Sequence, residues 1–295
     1  MSSQAEATTD HFSVDSGDVE LAVTDWGGDG SDLLLSHATG FCAGVWNTLA
    51  ASIAASTVGR HRVFGFDQRA HGDSSKPAEP ADLAWEHLGR DVLAVLDGMG
   101  IDHTDAIGHS SGAAALVLAA AAAPGRFTKL VLFEPIIAPP LPPGADKLLD
   151  GPNPLVEGAL RRRMVFDDRA DMLARFVEKP PFDSWDARVL ADYVEHGSRD
   201  EPGEGRILKC PGELEAEMYR QGPRHGGYDA LPDIDAEVLV VGTDSASSPF
   251  PVEWWQHLAE RIPHARFEVI EGHGHFAPME DPDGFAKICT RFLDS

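Results

Sequence analysis

The amino-acid sequence predicts an α/β fold in which helices cover both faces of a mostly parallel β-sheet. Short runs of β-branched and apolar residues alternate along the chain with longer segments of helical periodicity. Hydrophobic residues make up 43% of the 295 residues, so the chain can bury a sizeable core. A chain of this length can form one large α/β domain with an insertion, or two small domains.

The alternation predicts each element in order. The candidate strands are residues 19–24, 32–36, 62–67, 104–108, 129–133, 237–241 and 266–270. The candidate helices are residues 43–56, 81–99, 112–123, 252–261 and 282–293. The longest apolar run, residues 113–123, is too short to span a bilayer.

One stretch interrupts the alternation. A proline-rich segment, APPLPPG at residues 138–144, follows the strand at 129–133, and strands resume only near residue 237. The residues between them show helical periodicity. We therefore predict an all-helical cap at residues 138–232, inserted into a core made of residues 1–137 and 233–295. Such a segment either forms a lid over a site at the strand ends or merely covers part of the core.

Charge and cysteine content limit the partners and the compartment. The formal net charge is -24, which disfavours nucleic acid and anionic membrane surfaces as partners. The three cysteines, Cys42, Cys210 and Cys289, lack the paired spacing of a metal site and predict free thiols in a reducing compartment. No signal peptide is visible in the first ten residues, so we expect a cytoplasmic protein. We also expect a monomer or a homodimer that acts on a small molecule.

The segment GHSSG, residues 108–112, predicts a nucleophilic serine. It fits the pattern G-x-S-x-G and lies between a predicted strand and an alanine-rich predicted helix, which is the context that this motif requires. The sharp turn needs small residues two places either side of the nucleophile. Gly108 and Gly112 meet that need for Ser110, whereas the histidine at 109 is too large for Ser111 to be the nucleophile.

A histidine-containing turn near the C-terminus supplies a candidate base. The segment GHGHFAPMEDPDGF, residues 272–285, follows a predicted strand and precedes the last predicted helix. His275 has a glycine before it, which leaves room for the imidazole to reach the serine. The alternatives are His273 as the base, or a metal site formed by the two histidines, for which no third ligand is evident.

These motifs together resemble those of the α/β-hydrolase superfamily over nearly the full length of the chain. The matching segments are LLLSHATGF at 33–41, FDQRAHGDS at 66–74, GHSSG, and the C-terminal GHGHF with MEDP. The resemblance implies an α/β-hydrolase fold, with a mostly parallel eight-stranded sheet flanked by helices. It also implies that His275 is the base and that the backbone N–H groups of Thr39 and Ser111 form the oxyanion hole. Alanine replaces the usual glycine at 38 and 70.

The third member of a catalytic triad has two candidates, because a base histidine needs a carboxylate to fix its tautomer. In most of the superfamily the acid follows the penultimate strand in a G-x-x-D turn, but here that turn has serine at 245 and places Asp244 one position early. Glu134, which ends the strand after the nucleophile helix, resembles the arrangement in zearalenone lactonases and one subgroup of haloalkane dehalogenases. We predict Glu134, with Asp244 as the alternative.

The expected activity is hydrolysis of a carboxylic ester or lactone through an acyl-enzyme on Ser110, with no metal or organic cofactor. A serine nucleophile argues against dehalogenase and epoxide hydrolase chemistry, which use aspartate at this position. Three alternatives use the same fold: a C–C bond hydrolase, a cofactor-free haloperoxidase-like perhydrolase, and a small-molecule receptor with little hydrolytic activity.

Overall fold

A large twisted sheet organises the computed structural model, which describes residues 9–56, 61–140 and 151–295. The strands of the described chain are β1 Asp10–Asp15, β2 Glu20–Gly27, β3 Ser31–Ser36, β4 His61–Phe66, β5 Thr104–His109, β6 Phe127–Phe133, β7 Val165–Phe166, β8 Ser198–Glu201, β9 Gly205–Leu208, β10 Glu237–Thr243 and β11 Ala265–Ile270. Eight of them form the large sheet in the order β1-β2-β4-β3-β5-β6-β10-β11. From β4 to β11 the neighbours are parallel, whereas β2 is antiparallel to both β1 and β4.

Helices cover this sheet on both faces. The helices of the described chain are α1 Asn47–Ser56, α2 Trp85–Gly98, α3 Ser111–Ala122, α4 Pro154–Leu160, α5 Arg169–Phe176, α6 Ala187–His196, α7 Gly212–Gln221, α8 Gly227–Ala230, α9 Val252–Glu260, α10 Ala277–Glu280 and α11 Pro282–Leu293. None of the helices in the described chain combines the length and the apolar character that a membrane span needs.

The side chains of each strand alternate between two apolar layers, as the twofold period of a strand requires. In β3, Leu34 packs with α2, α3 and α9 on one face of the sheet. Its neighbours Leu33 and Leu35 pack with α1, α11 and part of the insertion on the other face. Because the central strands are buried on both sides, they are continuous apolar runs, and this is why the sequence located them.

The predicted α/β-hydrolase fold is confirmed, with two differences in detail. The strand β1 was not predicted, because it has only two apolar residues, Phe12 and Val14, and is exposed except at Val14, so its hydrophobic pattern is too short to stand out. The insertion was predicted to be all-helical, and this is wrong. Three short strands, β7, β9 and β8, form a small antiparallel sheet within it. Strands of two to four residues are too short for a periodicity to be visible in the sequence.

The insertion occupies the chain between β6 and β10 and contains α4 to α8 together with the small sheet. Its α6 packs against α1 and against the segment 43–46, both of which belong to the core. The segment 43–46 in turn contacts β3. The 138–232 boundary of a separate cap stays a prediction. The residues 141–150, on which part of the proline-rich segment falls, lie outside the described chain.

Candidate active site

The predicted nucleophile lies in a strained turn between β5 and α3. Ser110 has φ 57° and ψ -116°, a conformation that residues with side chains rarely adopt. Its N–H donates to the carbonyl of Phe133 at 3.0 Å, and its own carbonyl accepts from the N–H of Ala114 at 3.1 Å. The turn is thus fixed to the end of β6 on one side and to the first turn of α3 on the other. Ser110 is only 8% exposed.

The two glycines of the motif are required by close backbone contacts. A Cβ at Gly108 would lie 2.7 Å from the Cα of Ala113, and one at Gly112 would lie 2.3 Å from the carbonyl oxygen of Ser36. Any side chain at either position would therefore push the turn away from α3 or from the end of β3. The helix also directs its positive N-terminal end at Ser110, where negative charge would develop.

His275 lies beside this turn. The Nε2–H of His109, the residue before Ser110, donates to the carbonyl of His275 at 2.8 Å, and the two imidazole rings are 4.8 Å apart. Burial lowers the pKa of His109 well below its ordinary value, with a smaller contribution from His275, so His109 stays neutral. A Cβ at Gly274 would lie 2.1 Å from the hydroxyl oxygen of Ser247, so a larger residue there would displace that exposed side chain.

Glu134 holds the His275 ring. Its Oε2 accepts a hydrogen bond from the His275 Nδ1 at 2.6 Å, and the carboxylate has no exposed surface. The other oxygen, Oε1, accepts from the N–H of Thr243 at 3.1 Å, from its hydroxyl at 2.7 Å and from the hydroxyl of Ser248 at 2.7 Å. Both oxygens of the buried carboxylate therefore have hydrogen-bond donors, which fix its orientation. The φ of Glu134 is 42°, a second strained residue in this site.

The alternative acid lies elsewhere. Asp244 follows β10 and is exposed, while the Nδ1 of His275 already has Glu134 as its partner. His273, the alternative base, is paired with a different carboxylate, since its Nδ1 is 3.0 Å from Glu280. In the described part of the chain, no group of three or more His, Cys, Asp or Glu is arranged to hold a metal ion.

The loop after β3, residues 37–41, lies against the nucleophile turn; we call it the oxyanion loop after the role that the resemblance implies. The N–H of Thr39 donates to the Oγ of Ser111 at 2.8 Å, and the Thr39 hydroxyl donates to the same atom at 3.0 Å. The structure therefore brings the two predicted oxyanion residues together, but the N–H of Thr39 already has an acceptor. Ser111 N–H is at the first position of α3, where no acceptor exists within a helix, and Ser110 does not cap it.

Two buried histidines fix the oxyanion loop. The Nε2 of His71 accepts from the N–H of Gly40 at 2.8 Å, while its Nδ1–H donates to the carbonyl of Arg69 at 2.9 Å. His37 makes the same pair of bonds with the N–H of Gln68 and the carbonyl of Ala38. Both rings are neutral in this arrangement, and burial lowers the pKa of each, that of His71 well below its ordinary value.

Aromatic side chains from the insertion roof the site. Trp185 and Tyr193 pack edge-on against Phe41 of the oxyanion loop, and Trp185 makes a tilted contact with Phe276, the neighbour of His275. The Tyr193 hydroxyl donates to the carbonyl of Gly40 at 3.2 Å. The insertion thus touches both loops that carry candidate site residues, and its roof is largely apolar.

A buried ion pair over Gly40 was not anticipated from the sequence. Arg162 donates to Oε1 of Glu215 at 2.8 Å, and Glu215 is fully buried. A Cβ at Gly40 would lie 2.8 Å from that same oxygen, so the pair packs directly on the oxyanion loop. A run of three arginines, as at 161–163, is typical of a solvated surface, and only the tertiary structure shows that the middle one pairs with Glu215.

The fold and these motifs define the class of protein. Residues 33–288 match the model of the alpha/beta hydrolase family, and the chain belongs to that family. Among curated proteins it is 27% identical to the 2-hydroxy-6-oxononadienedioate/2-hydroxy-6-oxononatrienedioate hydrolase of Cupriavidus pinatubonensis, over 98% of this chain and 96% of that protein. It is 25% identical to esterase YbfF of Escherichia coli, over 82% of this chain and 86% of that protein.

A solved structure shows the same fold. The crystal structure of E-2-(acetamidomethylene)succinate hydrolase superimposes with a TM-score of 0.80 over 98% of this chain and all of that chain, at 23% sequence identity. The names of these relatives cover different scissile bonds. The comparisons therefore support a hydrolase, and the bond that this chain cleaves is a matter for proposal.

Proposed function

We propose that this protein is a serine hydrolase that cleaves a carboxylic ester or lactone through an acyl-enzyme on Ser110. The observation that carries the proposal is the contact between His275 and the fully buried Glu134, formed beside the strained turn of Ser110. An imidazole oriented by a buried carboxylate, next to a serine at a helix N-terminus, is the combination that activates a hydroxyl for attack on a carbonyl.

In the proposed reaction, His275 removes the proton of Ser110 as its oxygen bonds to the substrate carbonyl carbon. Glu134 accepts the Nδ1–H and so leaves Nε2 as the basic atom, and it stabilises the imidazolium that forms. The N–H groups at the start of α3 stabilise the oxyanion. His275 then protonates the leaving alcohol, and a water molecule activated by the same histidine releases the acid.

The proposed substrate class rests on the nucleophile and on the relatives. Serine forms an acyl-enzyme with esters and lactones, whereas the alkyl-enzyme ester of a dehalogenase needs a carboxylate. One relative is named an esterase, in line with an ester substrate. The apolar side chains of Phe41, Trp185 and Phe276, which pack together near the site, suit an ester with an apolar or aromatic portion.

A chain-length series of p-nitrophenyl esters, together with a small panel of lactones, tests the proposal on the wild type and on Ser110→Ala. We expect turnover by the wild type and a loss of at least about 10⁴-fold in kcat for the variant, because removing the nucleophile removes the covalent route. A fluorophosphonate should label the wild type at Ser110 and leave the variant unlabelled.

The variant Asp244→Asn is a matched control, since it changes an exposed acid near the site. Full turnover by Ser110→Ala would overturn the mechanism. Stoichiometric labelling without turnover of any ester or lactone would instead favour the receptor, while activity confined to a vinylogous diketone would favour a C–C bond hydrolase.

A further inference from the structure

The hydroxyl of Ser111 has an unusual set of hydrogen-bond partners. Its oxygen accepts from both the N–H and the hydroxyl of Thr39, at 2.8 and 3.0 Å. A serine hydroxyl has two acceptor lone pairs and one proton to donate. Because Thr39 occupies both lone pairs, the remaining capacity of the group is its proton.

That proton has no acceptor in the described chain, although Ser111 is fully buried. No hydrogen bond with Ser111 as side-chain donor is formed among residues 9–56, 61–140 and 151–295, and the residue has no exposed surface that water could reach. Buried donors in native structures almost always have a partner. A donor left free beside a nucleophile indicates that the reacting molecule supplies the acceptor.

The position of the hydroxyl suits this role. Ser111 follows Ser110, and its Oγ lies by covalent geometry close to its own N–H, the predicted oxyanion donor at the start of α3. Free water is excluded here, but a carbonyl carbon bonded to Ser110 approaches well inside van der Waals distance. An oxygen on that carbon therefore enters space that free water does not reach.

We propose that the Ser111 hydroxyl is itself an oxyanion donor, and that Thr39 acts through it. This inference rests on the proposed function, because it assigns a role within the acylation step on Ser110. In the ground state the N–H of Thr39 points at Ser111 rather than at the substrate. A hydroxyl that accepts two hydrogen bonds is polarised and becomes a stronger donor. Thr39 therefore strengthens the hydrogen bond from the Ser111 hydroxyl to the oxyanion without touching the oxyanion itself. Thr39 is thus a positioning residue, and Ser111 touches the oxyanion with both its N–H and its O–H.

The test is Ser111→Ala, assayed for kcat and KM on the best ester and for the affinity of a trifluoromethyl ketone. The hydroxyl oxygen of Ser110 adds to the carbonyl carbon of the ketone and gives a tetrahedral adduct with an oxyanion. This adduct imitates the transition state of acylation. We expect kcat to fall by about 10²-fold with little change in KM, as for the loss of one oxyanion donor. The affinity of the ketone should fall by a similar factor, while that of the product acid, which forms no oxyanion, should stay constant.

Two outcomes would overturn the inference. If Ser111 merely blocks the N–H of Thr39, then Ser111→Ala frees that N–H, and kcat stays equal or rises. If the hydroxyl is only structural, kcat falls together with the melting temperature, and the ketone does not weaken in proportion. Should Ser111→Ala fold poorly, Ser111→Cys keeps the size with a weaker donor and should show the same proportional losses.

Matched variants separate this inference from the proposed function. Thr39→Val removes the hydroxyl behind Ser111 but keeps the N–H, so we expect a smaller loss in kcat than for Ser111→Ala, and Thr39→Ser should retain more activity than Thr39→Val. Thr290→Val deletes a buried hydroxyl of α11 that bonds only within its helix and should leave turnover unchanged. If Ser110→Ala abolishes turnover and Ser111→Ala does not reduce it, the inference fails and the proposed function stands.

Discussion

The neighbouring strands β6 and β10 each end at a carboxylate, and the two carboxylates differ in burial and in hydrogen bonding. Glu134 at the end of β6 is fully buried and bonds to His275, whereas Asp244 at the end of β10 is exposed. The end of β10 instead supplies donors, since Thr243 and Ser248 both bond to Glu134. In the usual G-x-x-D turn the acid follows the penultimate strand, whereas here the carboxylate that bonds to His275 lies on β6 and β10 supplies its donors. The comparison teaches that the strand end facing the histidine matters more than the spacing of one motif.

Glu134→Gln against Asp244→Asn gives the largest expected difference. The amide of glutamine offers the histidine a donor as readily as an acceptor, so the tautomer is no longer fixed, and we expect kcat to fall by about 10⁴-fold. Asp244→Asn should stay within about twofold of the wild type, because its side chain is exposed. Steady-state kinetics on one p-nitrophenyl ester measures both. The reverse result would transfer the acid role to β10.

A second variant asks whether the β10 turn still has room for an acid. Ser245 occupies the usual acid position, and its hydroxyl oxygen would lie 3.7 Å from a Cβ at Gly274, the neighbour of His275. In the Glu134→Gln background, Ser245→Asp should therefore recover about tenfold in kcat/KM, since a carboxylate there is within reach of the histidine turn. Glu134→Gln with Asp244→Asn serves as the control and should recover nothing. If Ser245→Asp also recovers no activity, a carboxylate on the β10 turn cannot replace Glu134 as the partner of His275.

The donors from β10 provide a smaller effect. Thr243→Val removes one of the three bonds to Oε1 of Glu134 and keeps the N–H. A hydrogen bond to a charged group contributes about 1.5–3 kcal/mol, and we expect part of that in the transition state, as a loss of about tenfold in kcat. Thr243→Ser restores the hydroxyl and should retain most of the activity. An unchanged kcat for Thr243→Val would mean that Glu134 needs no support from β10.

The buried histidines near the oxyanion loop and the exposed acid of the β10 turn should also differ in their effect on stability at low pH. Burial lowers the pKa of His71 well below its ordinary value of 6.5, so the unfolded chain binds a proton there that the folded chain does not. The free energy of unfolding should therefore fall as the pH drops below about 6.5, by up to about 1.4 kcal/mol per pH unit for each such histidine. His37 and His109 contribute in the same direction.

Urea unfolding between pH 7.5 and 5 measures this dependence. His71→Gln keeps an acceptor for the N–H of Gly40 but does not titrate, so its stability should depend less on pH than that of the wild type. Asp244→Asn changes only the exposed acid of the β10 turn and should follow the wild-type curve. Parallel curves for all three proteins would show that His71 takes up no proton on unfolding.

Local patterns in the sequence were sufficient for the central strands, for the helices that cover them and for the G-x-S-x-G turn. Buried parallel strands are continuous apolar runs, and a sharp turn demands glycines at fixed distances, as the contacts of Gly108 and Gly112 show. The exposed strand β1 and the two- to four-residue strands of the insertion carry no such pattern. Their formation depends on pairing with partners that lie elsewhere.

The sequence by itself determined the fold class, the turn that carries Ser110 and the histidine turn of His275, because these are set by residues close together in the chain. Only the tertiary structure decided which carboxylate meets His275, where the N–H of Thr39 points and which arginine turns inward. Glu134 and His275 are 141 residues apart, and Thr39 and Ser111 are 72 apart. A contact over such separations depends on strand order and on ångström-scale geometry at the sheet edge. The local periodicity of a sequence determines neither of these.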